Sequence, residues 1–167
     1  MAAVDYYLKV TCKNAGDIAG ESKADGHTDE IDISSWSWGE VNSGSGRGVG
    51  GQGAGRVDMQ DIHFTATMSK ASTALMLACA TGDAVDKAVL TCRKAGGDQG
   101  EFLIVTLEDG LISSYQTGGS QGDLIPTDQF SINFSKIKIE YKIQDPDSGA
   151  MSAGGDATFD LRTVKAG

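Results

Sequence analysis

The sequence lacks the features by which membrane proteins and nucleic-acid-binding proteins are recognised. It has no run of about eighteen apolar residues, the length that a transmembrane helix requires. Lysine and arginine number 14 against 23 aspartates and glutamates, so the formal net charge is −9 at pH 7. Binding to phosphate backbones or to anionic membrane surfaces requires clustered basic side chains. We therefore predict no nucleic-acid partner and no insertion into a membrane.

Cysteine and histidine are scarce. Cys12, Cys79 and Cys92 are odd in number and scattered along the chain, so they form neither a disulfide framework nor a zinc-binding spacing. We expect reduced thiols that act as small apolar groups of the core. His27 lies in a polar turn and His63 in a strand, and each is predicted to be a surface or hydrogen-bonded histidine.

No arrangement of residues indicates catalysis. The sequence has no G-x-S-x-G elbow and no cysteine with a plausible base, and its carboxylates do not fall into a metal or acid–base spacing. The segments HTDEID (27–32) and QDPD (144–147) are interpreted as solvated turns. We therefore predict that the protein is not an enzyme and uses no cofactor or metal.

Alternating apolar residues predict a protein made mostly of strands. Residues 4–13 alternate with a period of two, which is typical of a half-buried strand. In 129–143 the apolar side changes near Ser135–Lys136, which predicts a bend between two packed sheets or at a barrel corner. The apolar side also changes within 30–38 and within 56–64. In 30–38, a bulge at Ser34–Ser35 would explain the change.

The remaining elements are shorter strands and one helix. Strands are predicted at 87–93, 101–107, 111–116 and 158–164, with a turn at Glu108–Gly110. Residues 69–82 predict a helix that Ser69 caps and Gly82 ends, with Met76 and Cys79 as core filling. About eight strands and one helix indicate a single all-β domain over residues 1–167, either a barrel or a sandwich.

A glycine-rich loop at residues 43–56 separates two predicted strands. Seven of its fourteen residues are glycine. Nucleotide-binding glycine motifs are excluded, because Arg56 opens a strand where a helix or a P-loop lysine would be needed. Ordering the loop costs about 20 kcal/mol at 1–2 kcal/mol per residue. We therefore expect either a loop without a role or an arm that becomes ordered against another surface.

Several segments, taken together, resemble the Hcp family, the haemolysin-coregulated tube proteins of bacterial type VI secretion. The segments that carry the resemblance are GES (20–22), HTDEI (27–31), SWSWG (35–39), the glycine loop, QDIHF (60–64), KASTALMLACATG (70–82), RKAGG (93–97) and INFSKIKIEY (132–141). Their order and spacing fit over nearly the whole chain. The segments 11–20 and 145–157 do not match, so their conformation is not predicted.

The resemblance implies a compact two-sheet β-barrel with one flanking helix and a long extended loop. Six such subunits would form a ring, and stacked rings would form a tube that a contractile sheath drives outward behind a VgrG-type spike. Effector proteins would be carried and stabilised in the lumen. The family uses no cleaved signal peptide, in agreement with the start MAAVDYYLKV. We expect assembly in the bacterial cytoplasm, followed by export to the medium or to a target cell.

The resemblance also assigns roles to individual residues. The loop is expected to contact adjacent subunits within a ring or in the stacked ring, through Gly39, Ser43, Gly44, Gly46, Arg47, Gly48, Val49, Gly50, Gly51, Gly53, Gly55 and Arg56. Ser35 and Ser37 alternate with Trp36 and Trp38, so they are expected to face the lumen if the tryptophans face the core.

From the residues alone, two other functions remain open. One is a barrel that carries a small ligand in its interior. The bulky residues on both sides of 101–107 favour a filled interior instead. The other is a hydrolytic enzyme, for which no nucleophile–base pair is found.

Overall fold

A computed structural model describes residues 4–43, 56–95 and 100–167. Within these ranges the chain forms strands and one helix, in the following order: β1 (Val4–Cys12), β2 (Gly16–Ile18), β3 (Ile31–Ile33), β4 (Ser35–Ser37), β5 (Glu40–Asn42), β6 (Val57–Met59), β7 (Ile62–Thr67), α1 (Ala71–Thr81), β8 (Ala84–Lys94), β9 (Glu101–Gly118), β10 (Thr127–Asn133), β11 (Lys136–Gln144), β12 (Met151–Asp160) and β13 (Lys165–Ala166).

Most strands belong to one antiparallel sheet. Its main path runs β13-β12-β11-β9-β10-β7-β4, while β1 pairs with β2, β3 and β8, and β8 pairs with β9. A separate two-stranded sheet is formed by β5 and β6. The all-β class with one flanking helix is thereby confirmed. The ladder of the larger sheet is not closed within the described residues, because β13 and β4 stand at the ends of its path.

The alternation in β1 and β10 correctly predicts which residues form the core. Leu8, Val10 and Cys12 are buried, as are Phe130 and Ile132. These side chains pack in one cluster, to which β3, β7, β8, β9 and α1 also contribute. On the opposite side of these strands Lys9 and Gln129 are exposed, as the period of two requires, whereas Tyr7 and Ser131 are buried by other contacts.

In 30–38 and in 56–64, the point where the apolar side of the predicted strand changes is a break between two strands. Each predicted strand is in fact two: β3 pairs with β1 and β4 pairs with β7, with Ser34 between them. In the second segment, Gln60 and Asp61 separate β6 from β7. The chain therefore changes strand partner where the apolar side changes, which shows why a single period does not run through either segment.

The predicted turn at Glu108–Gly110 is wrong, because β9 continues through it. Asp109 adopts a positive φ of 53°, and the register of β9 with β10 shifts between Ser131 and Ile132. Gly110 permits the close approach of the two strands, since a Cβ there would overlap the carbonyl oxygen of Asn133. One long strand consequently lies beside β8 and β11 in its first half and beside β10 in its second.

The break predicted near Ser135–Lys136 is confirmed. It separates β10 from β11, so the chain leaves one half of β9 and joins the other. The unmatched segment 145–157 contains a turn and most of β12, which the sequence did not predict as a strand. The predicted strand at 158–164 is wrong in part, because β12 ends at Asp160 and a turn precedes β13.

The helix α1 begins two residues later than predicted. The N-cap is Lys70 without a side-chain cap, although the Ser69 hydroxyl accepts a hydrogen bond from the Ala71 N–H at 3.2 Å. Gly82 ends the helix in the left-handed region, with φ of 65°, as predicted. Leu75 is buried. Met76, predicted as core filling, is instead 49% exposed, because it lies on the helix face turned away from the sheet.

A buried carboxylate joins the helix to the sheet. Asp128, at the start of β10, is 2% exposed. Its carboxylate accepts hydrogen bonds from the Ser72 hydroxyl in the first turn of α1 and from the Tyr115 hydroxyl of β9, the latter at 3.0 Å. A buried charge needs such donors, since an unpaired one costs several kcal/mol, on the order of the desolvation penalty of an ion.

Candidate functional site

The outward face of β4, β7, β10 and β9 is a continuous polar surface. Strand register places Ser37 opposite His63, His63 opposite Ser131, and Ser131 opposite Ser114. These four residues therefore form one row across four strands. We call this surface the polar face, and it comprises Ser35, Ser37, His63, Thr65, Ser114, Gln116, Gln129 and Ser131.

A second row of the polar face lies two residues along each strand. Ser35 pairs with Thr65, Thr65 with Gln129, and Gln129 with Gln116. Three of these residues are exposed, and Thr65 is half-buried. Neither row contains an acidic residue or a lysine or arginine. The two rows are thus rich in hydroxyl and amide groups and contain no charged residue, and the nearest carboxylate, that of Asp61, borders them through the Ser113 hydroxyl.

The row that lies between these two polar rows points toward the core. Trp36 pairs with Phe64, which pairs with Phe130, which pairs with Tyr115. The Phe64 and Phe130 rings stack at 5.2 Å between centroids. Because successive side chains of a strand alternate, an aromatic row underneath holds the serine, threonine and glutamine rows on the outer side. Trp36 packs against the core while Ser35 and Ser37 are exposed, as the alternation in SWSW predicted.

Hydroxyl groups at one end of the polar face form a network. The Ser113 hydroxyl donates to the Asp61 carboxylate at 2.6 Å and lies 2.8 Å from the Ser131 hydroxyl. Asn133 donates its amide to the other Asp61 oxygen at 2.8 Å. Ser131, 2% exposed, also bonds the Ser114 hydroxyl. The network fixes these rotamers and uses the acceptor capacity of the neighbouring carboxylate.

The ends of the glycine loop form a ribbon outside the main sheet. Glu40, Val41 and Asn42 of β5 pair in register with Met59, Asp58 and Val57 of β6. Gly39 lies at its base, where its carbonyl accepts a hydrogen bond from the Gln60 N–H at 3.0 Å. Ser43 and Arg56 are exposed beyond the ribbon strands. The other predicted loop residues lie outside the described residues: Gly44, Gly46, Arg47, Gly48, Val49, Gly50, Gly51, Gly53 and Gly55.

The two histidines occupy different environments. His63 is exposed on the polar face, whereas His27 is 5% exposed. The interpretation of 27–32 as a solvated turn is therefore wrong for His27, and also for Ile31, which is buried and begins β3. Both of its ring nitrogens contact carboxylates, Glu30 at 2.7 Å and Glu101 at 2.8 Å. In the described ranges, no group of three or more His, Cys, Asp and Glu side chains is arranged to hold a metal ion.

The environments of the buried thiols do not favour a reactive thiolate. Burial raises the pKa of Cys12 to about 11 and that of Cys92 to about 12. Nucleophilic cysteines require a lowered pKa, so these two are thiols at neutral pH. Cys79 is partly buried on α1. All three are free cysteines, consistent with the predicted structural role.

Sequence reasoning assigned only Ser35 and Ser37 of the polar face to a functional surface, and it identified His63 only as a surface or hydrogen-bonded histidine. The others carry the same alternation signal, since Gln129 and Ser131 alternate with the buried Phe130 and Ile132. What a linear pattern does not contain is strand order. The pairing of β7 with both β4 and β10 is what brings the separate polar positions together.

A family model described as "Type VI secretion system effector, Hcp" matches residues 7–141 of the chain. The chain belongs to the Hcp family. It is 44% identical over 153 residues to protein hcp1 of Pseudomonas aeruginosa, a match that covers 91% of each chain. The resemblance inferred from the sequence motifs is thereby confirmed. Hcp proteins are structural, secreted proteins and not an enzyme family.

Solved structures of the Hcp family share the fold. A structure described as a type six secretion system protein has a TM-score of 0.87 at 26% identity, covering 99% of this chain and all of its own. Hcp1 of Salmonella typhimurium has a TM-score of 0.77 at 28% identity, covering 99% of both chains. Within the described ranges, no helix has the length and apolar character of a membrane span.

Proposed function

We propose that this chain is a single-domain tube subunit of a type VI secretion system. Six copies form a ring, and rings stack into a tube that is assembled in the cytoplasm. A contractile sheath expels the tube behind a VgrG-type spike, and effector proteins travel in its lumen. Membership of the Hcp family and the coverage of its relatives over nearly the whole chain support this proposal.

The observation that carries the proposal is the polar face with its two unpaired lateral edges. Within the described residues, β4 pairs only with β7 on one side of this face, and residues 112–118 of β9 pair only with β10 on the other. Unpaired strand edges are templates for pairing with another chain. Repeating one head-to-tail contact by a rotation that closes yields a ring.

The orientation of the polar face supports its assignment to the lumen. A ring built through these edges turns either the polar face or the opposite, core-packed side inward, and only the polar face is free. Its hydroxyl and amide groups donate and accept hydrogen bonds without fixed charge. Such a surface suits contacts with effectors of varied sequence, and Ser35 and Ser37 are its exposed positions on the edge strand β4.

The β5–β6 ribbon supports the assignment of the glycine loop to contacts between subunits. A two-stranded ribbon is at best marginally stable by itself. This one pairs with no other strand among the described residues, and its Val41 is 60% exposed. A neighbouring subunit would cover this apolar side chain and complete the packing, through Gly39, Ser43, Arg56 and the loop residues between them.

Electron microscopy and native mass spectrometry of the purified protein test the proposal together. We expect annular particles with six-fold symmetry and a mass of six chains. Deleting Gly44–Gly53 should keep the rings and reduce their stacking into tubes. A monomer at all concentrations, or one that retains a small molecule as a carrier would, contradicts the proposal.

Ser37→Trp tests the assignment of the polar face to the lumen. A bulky side chain on that face should reduce co-purification of effectors without changing ring mass, because Ser37 lies among exposed polar residues. Ser152→Trp, at an exposed serine of β12, is the matched control and should leave effector binding unchanged. Equal effector binding by both variants would refute the assignment.

A further inference from the structure

The polar face ends in two different structures along the direction of its strands. At one end, Thr127 of β10 pairs with Gly118 of β9, and the loop 119–126 joins these two strands. At the other end, β7 follows the ribbon strand β6, and β10 leads to Ser135, whose carbonyl accepts a hydrogen bond from the Leu161 N–H at 2.8 Å. The length of β7, about 20 Å at about 3.3 Å per residue, separates the two ends.

The loop 119–126 presents two apolar side chains at its tip. Leu124 is completely exposed, and Ile125 is 52% exposed. The loop closes on itself just before them, because the Asp123 N–H donates to the Ser120 carbonyl at 2.9 Å and the Ser120 hydroxyl donates to the Asp123 carboxylate at 2.7 Å. A hydrogen-bonded turn therefore holds Leu124 and Ile125, which we call the apolar tip, out from one end of the subunit.

An apolar groove lies at the opposite end of the subunit. It has a volume of about 520 Å³ and runs between the ribbon strand β6 and the end of β12. We call it the end groove, and its apolar lining consists of Val57, Met59, Phe159, Leu161 and Val164. Met59, Phe159 and Leu161 also pack against the core, so the floor of the groove is continuous with the interior of the protein.

Val164 stands at the edge of the end groove in an unusual conformation. Its φ is 55°, in the left-handed region that β-branched residues rarely adopt. The side chain is nevertheless 60% exposed, so burial in the core of its own chain does not compensate for the strain. Strained backbone is concentrated at binding sites and ligand clamps. The turn between β12 and β13 thus holds an apolar side chain at the groove instead of burying it.

We propose that the apolar tip of one copy inserts into the end groove of the next copy along the tube. The inference rests on the proposed function, because it names a contact between stacked rings. The tip and the groove lie at opposite ends of the subunit, so the contact is head-to-tail and does not close on itself. Repeating it extends a stack of rings indefinitely, whereas a contact between like ends would stop at a pair.

The charges beside the two surfaces are complementary. Asp123 directly precedes the apolar tip, and Arg56 is exposed at the border of the end groove. Asp58 also borders the groove, but alternation along β6 places it on the side of the ribbon opposite Val57 and Met59. Charges at the rim of an interface steer and orient the partners, while burial of apolar surface provides most of the stabilisation.

Leu124→Ser tests the contact without disturbing the subunit. Leu124 is completely exposed, so the substitution removes no packing among the described residues. Ring mass should stay at the wild-type value. The protein concentration at which rings stack should rise about tenfold or more, because each subunit contact loses one buried leucine. Electron microscopy and sedimentation over a concentration series measure both quantities. Ile143→Ser, at a 50% exposed isoleucine of β11, is the matched control and should stack as wild type does.

A pair of introduced cysteines tests which surfaces meet. A disulfide forms only when the two Cα atoms come within about 7 Å of each other. Under mild oxidation, rings of the double variant Leu124→Cys with Val164→Cys should become stacks that persist after dilution and fall apart on reduction. Each single variant should give rings that separate on dilution. The same holds for Leu124→Cys combined with Ser152→Cys, at an exposed serine of β12 outside the groove.

The outcomes separate this contact from the proposed function. The contact is overturned if Leu124→Ser rings stack as wild-type rings do, or if Ile143→Ser weakens stacking as much as Leu124→Ser. It is also overturned if the cysteine pair links subunits only within single rings, which would place a neighbour of the same ring in the groove. In each of these cases the ring itself stands. A chain that remains monomeric throughout refutes the proposed function and this contact together.

Discussion

The two halves of β9 present different chemistry on the same outward side. In the first half, Glu108 lies between Lys87 of β8 and Lys136 of β11, and Lys136 is opposite Asp160 of β12. In the second half, Ser114 and Gln116 belong to the uncharged polar face. Charges appear where both neighbouring strands come from the same chain, whereas neutral hydrogen-bonding groups appear where one edge is unpaired.

This difference has a physical reason. Opposite charges in register stabilise the pairing of strands that are already neighbours, by about 0.2–1 kcal/mol per pair. A fixed charge on a surface that meets a second protein must be desolvated, and its cost is recovered only with an exact partner. A neutral hydroxyl or amide tolerates many partners. The first half of β9 is therefore suited to one fixed set of neighbours, and under the proposed function the second half is suited to contacts made after folding.

The largest expected effect is a loss of stability at the junction between the two halves of β9. Gly110→Ala places a Cβ against the backbone of Asn133, so β9 and β10 must separate. We expect a loss of about 2–3 kcal/mol in the free energy of unfolding, as in overpacked sites. Chemical denaturation of the variant measures it.

Gly118→Ala is the matched control for that substitution. Gly118 is also a β9 glycine, but a Cβ there would meet no atom within 4 Å. Its free energy of unfolding should stay within about 0.5 kcal/mol of wild type, as for most surface changes. Equal losses in the two variants would show that the close approach at Gly110 does not join the halves.

A smaller effect is expected in the charged first half. Glu108→Gln removes the ion pair with Lys136, whose Nζ lies 3.4 Å from the Glu108 carboxylate. Both side chains are 39% exposed, so solvent screens the pair and the loss should be below about 1 kcal/mol. The difference from wild type should shrink further at high salt. Denaturation at low and high ionic strength checks this, and a loss that salt does not change would contradict it.

The smallest expected effect is in the reactivity of the thiols, which reports whether the core beneath the first half of β9 is closed to solvent. Because burial raises the pKa of Cys92 to about 12, its thiolate is almost absent at pH 8. Alkylation followed by mass spectrometry should modify Cys79 first, and Cys12 and Cys92 only after denaturation. Rapid native modification of Cys92, which lies opposite Leu103 of β9, would show that this half opens readily.

Local patterns in the sequence predicted most of the fold. The alternation in 4–13 and 129–143, the break near Ser135 and the end of α1 at Gly82 all have local causes, and each is confirmed. The turn predicted at Glu108–Gly110 failed because Asp109 and Gly110 also suit an irregular strand. Only the neighbouring Asn133 carbonyl, distant in sequence, decides between the two.

The site was predictable only in part for the same reason. Ser35 and Ser37 could be identified as outward-facing from the tryptophans between them. The environment of His27 could not, because Glu101 is separated from it by 74 positions in the chain. Met76 was misassigned because the small residues of α1 leave no clear apolar stripe, so its exposed side has no distinct sequence signal.

The carboxylate of Asp128 connects the strand that carries part of the polar face to the helix α1. It lies on β10 directly before Gln129 of the polar face, and it holds the first turn of α1 through Ser72. In the proposed ring, a cargo in contact with Gln129 would therefore lie one residue from the carboxylate that holds α1. Under that proposal, a load on the polar face would be shared with α1 and β9 through this carboxylate, instead of resting on β10 alone.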